Sequence, residues 1–355
     1  MAPYMGWSSW NACGVAISEE LILRNARAMI DCGLRDAGYT FVNIDDGFFD
    51  GRDSEGNIVV KKRAFPDGMR HTLDRLRSMG FKTGIYSDAG KNTCGYYHDG
   101  ERGGRGAGLE GHEERDIRMY LGDWGADLLK VDWCGAWLRL NKRKRYTDLS
   151  RIVRATNPEA IYNVCCWEWP GEWVTEAADA WRTGPDLEPR FPSILNALEK
   201  AAPLSEHATA FRWNDLDMLQ VGNGMTDVQD RSHFSMWCMM NTPLVLGCDV
   251  SAIRAETLDI VSDPELIAIN QDPLGRQAKR VRSQGGVSLW SKPLLEGNAY
   301  AVLNETDSEK RIRIPISDTV TEVRDVALKR WDDVYGSVTV DLEPFDCRVF
   351  RINRA

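Results

Sequence analysis

The sequence predicts an α/β protein, a (β/α)8 TIM barrel followed by a small C-terminal antiparallel β-sandwich, and three features of its 355 residues carry that reading. Short β-prone segments alternate with longer helix-like ones, the pattern of parallel βαβ units. Acids recur where those segments end, and the C-terminal strand ends of a parallel barrel form its reacting face. After about Val281 the texture changes to strict apolar–polar alternation, the period of a strand with one buried face. A doubly wound open sheet is the alternative for the first part.

Eight strand candidates, the barrel number, fall at 4–7, 40–45, 82–87, 127–132, 160–165, 180–183, 215–219 and 244–246. Between the first two, Ser18 precedes Glu20, Leu21, Ile22, Leu23, Ala26 and Ile30, a capped amphipathic helix, and Gly33 suits its C-terminal stop. Residues 67–79 repeat the pattern, with Gly80 as the stop. This places the barrel over residues 1–280. The sandwich takes 281–355, through Lys310-Arg311-Ile312-Arg313-Ile314, Ser337-Val338-Thr339-Val340 and Arg348-Val349-Phe350-Arg351-Ile352. Asn304-Glu305-Thr306 matches a glycosylation acceptor there, a pattern short enough to arise by chance.

Composition removes several function classes. The formal charge of −9 argues against a nucleic-acid partner, and the basic run Lys142-Arg143-Lys144-Arg145 is expected to solvate a helix. No apolar run is long enough to span a bilayer, so no membrane partner is expected. The start Met1-Ala2-Pro3-Tyr4-Met5 lacks the regions of a signal peptide, which gives a cytoplasmic protein as written, or an exported one if a leader has been removed. Nine scattered cysteines do not form a small disulfide framework, and the five histidines show no paired ligand spacing. Neither metal nor cofactor is expected, and a homo-oligomer stays open.

The chemistry is read at the strand ends: Asp45-Asp46 after the second, Asp88 after the third, Asp132 at the fourth, Asp186 past the sixth, Asp215 and Asp217 at the seventh. Strand residues two apart share a face, so Lys130 and Asp132 point together, and the ammonium favours the ionised carboxylate. Asp215 and Asp217 have the same spacing. Carboxylates with Trp10, Tyr86, Trp167, Trp169, Trp173, Lys130 and Arg182 suit a neutral polyhydroxylated ligand: aromatic faces pack on its C–H side and polar groups bond its hydroxyls. Two of the acids could hydrolyse a glycosidic bond, though spacing does not say which acid does which task.

At these residues the chain resembles the α-galactosidases of glycoside hydrolase family 27. The matching blocks include Met5-Gly6-Trp7-Ser8-Ser9-Trp10-Asn11, Asn43-Ile44-Asp45-Asp46, Gly84-Ile85-Tyr86-Ser87-Asp88, Leu128-Leu129-Lys130-Val131-Asp132, Trp181-Arg182-Thr183 and Trp213-Asn214-Asp215-Leu216-Asp217. The resemblance implies Asp132 as nucleophile and Asp186 as acid/base in a retaining double displacement that releases terminal α-D-galactosyl residues from oligosaccharides or glycoconjugates. It also implies a galactose subsite lined by Trp10, Asp45, Asp46, Tyr86, Lys130, Arg182 and Asp217, and a Cys94–Cys134 disulfide at its edge. Trp167 falls in Asn163-Val164-Cys165-Cys166-Trp167, which only loosely matches the family's fifth-strand block. Asp45-Asp46-Gly47-Phe48 departs from the family's Asp-Asp-Cys-Trp, so Cys13 lacks its partner, and residues 96–107 lengthen the loop after Cys94.

Three other readings compete. The literal Gly106-Ala107-Gly108-Leu109-Glu110-Gly111 is far from the tight strand-to-helix turn of a dinucleotide site and is expected to be a flexible loop. A sugar-binding barrel without turnover would be favoured had either acid been replaced. Within the glycosidases, α-N-acetylgalactosaminidase and β-L-arabinopyranosidase are the nearest competitors.

Overall fold

A computed structural model describes residues 2–137, 139–316, 320 and 322–352. Its parallel strands are β1 (Met5–Ser8), β2 (Phe41–Ile44), β3 (Lys82–Asp88), β4 (Leu128–Asp132), β5 (Ile161–Val164), β6 (Ala180–Arg182), β7 (Trp213–Asp215) and β8 (Leu244–Leu246). The sheet order is β8-β1-β2-β3-β4-β5-β6-β7. Chain order is kept along the sheet and the last strand lies beside the first, which is barrel order; a doubly wound sheet would switch direction partway. The residues cluster into two compact units, Tyr4–Pro185 with Val245–Ala252, and Met1–Pro3 with Asp186–Leu244 and Ile253–Ala355.

In the first unit every residue of β1 and β5 is buried, as in a parallel sheet covered on both faces. Helix Glu19–Asp31 starts where Ser18 Oγ accepts from the Leu21 N–H at 3.2 Å and buries Ile22, Leu23, Ala26 and Met29. Gly33 follows it with φ +82, a stop that a Cβ would strain. Helix Lys142–Thr156 divides the basic run: Arg143 and Lys144 face solvent, while Arg145 pairs with Glu113 and donates to the Ala89 carbonyl at 2.7 Å.

The glycine-rich segment at 106–111 is a loop, but a held one. Arg52 donates to the carbonyls of Gly106 at 2.7 Å and Gly108 at 2.9 Å while pairing with the buried Asp116, and Ala107 and Leu109 are fully enclosed. The preceding strand has ended at Asp88, so no phosphate-cradling turn exists there.

In the second unit, helix Asp227–Met240 opens with a Thr226–Gln229 capping box and is buried along most of its length. At its far end the enclosed Lys292 donates to the Cys238 carbonyl at 3.0 Å and to Asn241 Oδ1 at 3.2 Å. Burial lowers this ammonium to about 7 against the pull of Cys238 and Asp272.

The strand expected at 215–219 is displaced. β7 ends at Asp215, because the Asp217 N–H folds back onto Asp215 Oδ1 at 2.9 Å and Asp217 takes φ +84, so the two acids do not share a strand face. Beyond it, six antiparallel strands run in the order Lys279–Gln284, Val287–Pro293, Asn298–Asn304, Cys347–Ile352, Glu322–Asp325, Arg330–Asp333, and Lys310–Pro315 pairs with Ser337–Leu342. Val287, Val302, Val323, Val340, Leu342 and Phe350 form their common core, and residues 310–315 alternate between half-buried and exposed. Asn304 is buried, its amide donating to the Ser308 and Glu343 carbonyls at 2.7 Å, so the apparent glycosylation acceptor is a closed turn.

Candidate active site

The expected acids of the first unit meet at the ends of β2, β3 and β4. The Asp45 N–H donates to Ser9 Oγ at 3.0 Å, which ties the β2 exit to the turn after β1. Asp45 Oδ1 then accepts from the Asp46 N–H at 2.9 Å, leaving Oδ2 to accept from Lys130 Nζ at 2.8 Å. The same ammonium lies 3.8 Å from Asp132 Oδ1 and 5.5 Å from the centre of the Tyr86 ring. The alternation of β4 does align Lys130 with Asp132. Burial alone would discharge Lys130, but Asp132 and Asp45 outweigh it and hold its pKa well above the ordinary lysine value.

Asp46 is buried with Oδ1 on the Gly47 N–H and Oδ2 on the Gly95 N–H, both at 2.7 Å. Burial, with Asp45 adding repulsion, still raises it to about 6. Tyr86 Oη accepts from the Cys94 N–H at 3.1 Å, and Cys94 is bonded to Cys134 as the resemblance implies. Cys94 Sγ touches Asp132 Oδ2 at 3.3 Å. Asp88 also approaches this pair, but two cysteines bonded to each other offer no thiolate to a metal. Cys13 is free.

Asp88 has a role that sequence reasoning did not assign. It sits opposite Asp132 in the β3–β4 register, and its Oδ1 accepts from the N–H groups of Gly90 at 2.7 Å and Gly135 at 3.0 Å. A Cβ on Gly90 would come within 1.9 Å of the Gly135 carbonyl carbon, so the two strand exits meet backbone to backbone. Burial, then repulsion by Asp132, pushes Asp88 up to about 8 in spite of its N–H donors. The recurrence of acids at strand ends was the available signal.

Arg182 is buried, with Nη1 3.7 Å from Cys165 Sγ and Nη2 donating to the Gly184 carbonyl at 3.2 Å. Trp10 is half-buried in helix Trp10–Cys13. Trp167 is half-buried at φ +58, a strained conformation for a bulky residue and one that collects at functional sites. Trp173 stacks on the buried Tyr146 at 6.3 Å, and Trp169 meets Trp181 edge-on at 6.0 Å; of these two, Trp173 is spent on packing. Asp186 and Asp217 belong to the second unit. There Asp186 is exposed, and Asp217 Oδ2 accepts from the Leu187 N–H at 2.8 Å while its carbonyl accepts from Trp237 Nε1 at 3.0 Å.

Fold and site together define a glycoside hydrolase. The sequence model of the family described as alpha galactosidase A matches residues 2–272. An alpha-galactosidase from Cyamopsis tetragonoloba is 34% identical over 364 residues, covering 98% of this chain and 85% of its own. Alpha-galactosidase I from Mortierella vinacea superposes with a TM-score of 0.92 at 30% identity, covering 99% of this chain and 96% of that one. An alpha-galactosidase from Saccharomyces cerevisiae, solved with raffinose, gives 0.87 at 26% identity, with 100% and 98% covered. The chain belongs to the α-galactosidases of glycoside hydrolase family 27, and its reaction is hydrolysis of terminal α-galactosyl residues.

Proposed function

We propose that hydrolysis proceeds with retention, with Asp132 as nucleophile and Asp186 as acid/base. Asp186 protonates the glycosidic oxygen as an Asp132 oxygen attacks the anomeric carbon, the C–O bond to the leaving group breaks, and a glycosyl ester forms. Asp186 then takes a proton from water, whose oxygen displaces Asp132. The observation that carries this reading is Lys130, whose ammonium faces Asp45 at 2.8 Å and Asp132 at 3.8 Å. A cation at that distance favours the ionised form of Asp132, the form that attacks. Trp10, Asp45, Asp46, Tyr86, Cys94, Lys130, Trp167, Arg182 and Asp217 hold the sugar. Residues 1–280 form the catalytic barrel and 281–355 the sandwich domain. Galactose-containing oligosaccharides are the substrates, with neither nucleic acid nor membrane as partner.

Asp46 is one methylene shorter than a glutamate and leaves room for the galactose hydroxymethyl group, which β-L-arabinopyranose lacks. Trp167 leaves little for an N-acetyl group at C2. The aryl α-galactoside should therefore exceed both competitors in kcat/KM by about tenfold, roughly 1.4 kcal/mol. The mechanism is tested by NMR of the first-formed anomer, by Asp132→Asn and by Asp186→Ala. Retention, an inert but folded Asp132→Asn and azide rescue of Asp186→Ala are expected. A β-anomer product or an active Asp132→Asn overturns it.

A further inference from the structure

We propose that Tyr97 and Trp137 form a saccharide-binding platform beside Asp132, a subsite for the sugar that departs when the galactosyl bond is cut; the proposal rests on the α-galactosidase reading above. Single exposed aromatics need no explanation. These two differ in position: each lies three residues after one cysteine of the Cys94–Cys134 bond. Cys94–His98 is a single α-helical stretch and Cys134–Ala136 a single 3-10 turn. Residues three apart on an α-helix share a side, so Tyr97 lies on the side that carries Cys94, and Trp137 caps the turn that opens at Cys134. Cys94 Sγ in turn touches Asp132 Oδ2 at 3.3 Å.

The platform is held although it is uncovered. Tyr97 is 48% exposed and Trp137 60%. Yet Tyr97 Oη accepts from Asn92 Nδ2 at 3.0 Å, and its ring meets Tyr96 edge-on at 5.3 Å. Asn92 Oδ1 accepts from the Gly106 N–H at 2.8 Å, which anchors the lengthened loop to the same residue. The Asn92 carbonyl lies so near Gly135 that a Cβ there would come within 2.4 Å of it. Asn92 thus ties Tyr97 to the turn that ends in Trp137. Polar residues flank the rings along the chain: His98 and Asp99 follow Tyr97, and Arg139, paired with Glu110, lies two residues after Trp137. Apolar faces with a polar rim suit a pyranose, whose C–H face stacks while its hydroxyls find donors and acceptors. An acyl chain would leave that rim unused.

The test uses the full chain and two substrates that share the galactosyl group, raffinose and α-D-galactopyranosyl fluoride, whose leaving group is one atom. Trp137→Ala and Tyr97→Ala should each lower kcat/KM for raffinose about tenfold, chiefly through KM, and leave the fluoride within about twofold. Tyr97→Phe, which keeps the ring, should retain most activity on raffinose. Equal losses on both substrates, or none on raffinose, overturn the subsite. A wild type that turns over neither compound overturns the galactosidase reading beneath it.

Discussion

Lys130 shows how much of the site depends on one charge. Lys130→Met would leave Asp45 and Asp132 buried together without their cation, and burial with like-charge repulsion raises carboxylate pKa values. The acid limb of kcat/KM should therefore move to higher pH, and kcat/KM at its optimum should fall by about a hundredfold or more; a pH–rate profile checks both. Asp88 gives a second contrast at this scale. Asp88→Ala removes the acceptor for two buried N–H groups at about 1–3 kcal/mol each, whereas Asp88→Asn keeps an oxygen in place. Thermal melts should rank wild type and Asn together and Ala well below. The strand period made the Lys130–Asp132 alignment legible in the sequence. The clamp by Asp88 was not, because it exists only where two strand exits distant in sequence touch.

At the scale of elements, the β3 and β4 exits are one structure held by backbone contact. Gly90→Ala should force the two apart, destabilise by about 1–3 kcal/mol as overpacking does, and lower kcat at unchanged far-UV circular dichroism. The strands and the first capped helix were readable because their residues act locally: apolar runs, an N-cap serine, a stop glycine. The end of β7 was not, since Asp217 is turned by its own bond to Asp215 and fixed by Trp237 from a later helix. The glycine-rich loop was expected to be loose for the same reason. Its anchor, Arg52, is 54 residues away from Gly106 and carries no mark in the sequence of that partnership.

At the scale of the whole molecule, the buried acids set a pH response. Asp46 and Asp88 are raised in the folded chain to about 6 and about 8, so the fold binds protons there that the unfolded chain has released. Their stabilisation is present at acid pH and is lost as pH rises through those values. The melting temperature should be higher near pH 5 than near pH 8, and Asp88→Asn should flatten the slope; a flat wild-type profile would contradict the assignment. Lys292 works the other way, being lowered to about 7, so its burial disfavours folding most below that pH and ceases to do so as pH climbs toward the ordinary lysine value. The bond between Cys94 and Cys134 leaves seven thiols, Cys13, Cys32, Cys165, Cys166, Cys238, Cys248 and Cys347, for a denatured titration to count. Because that bond touches Asp132, the residue proposed to attack the sugar, turnover becomes a record of provenance. A preparation folded among reductants would arrive with its rim unlatched and gain activity on exposure to air, while one matured under oxidation would arrive at full rate and lose it to dithiothreitol. The ratio of the two rates would tell in which kind of cellular space the molecule was assembled.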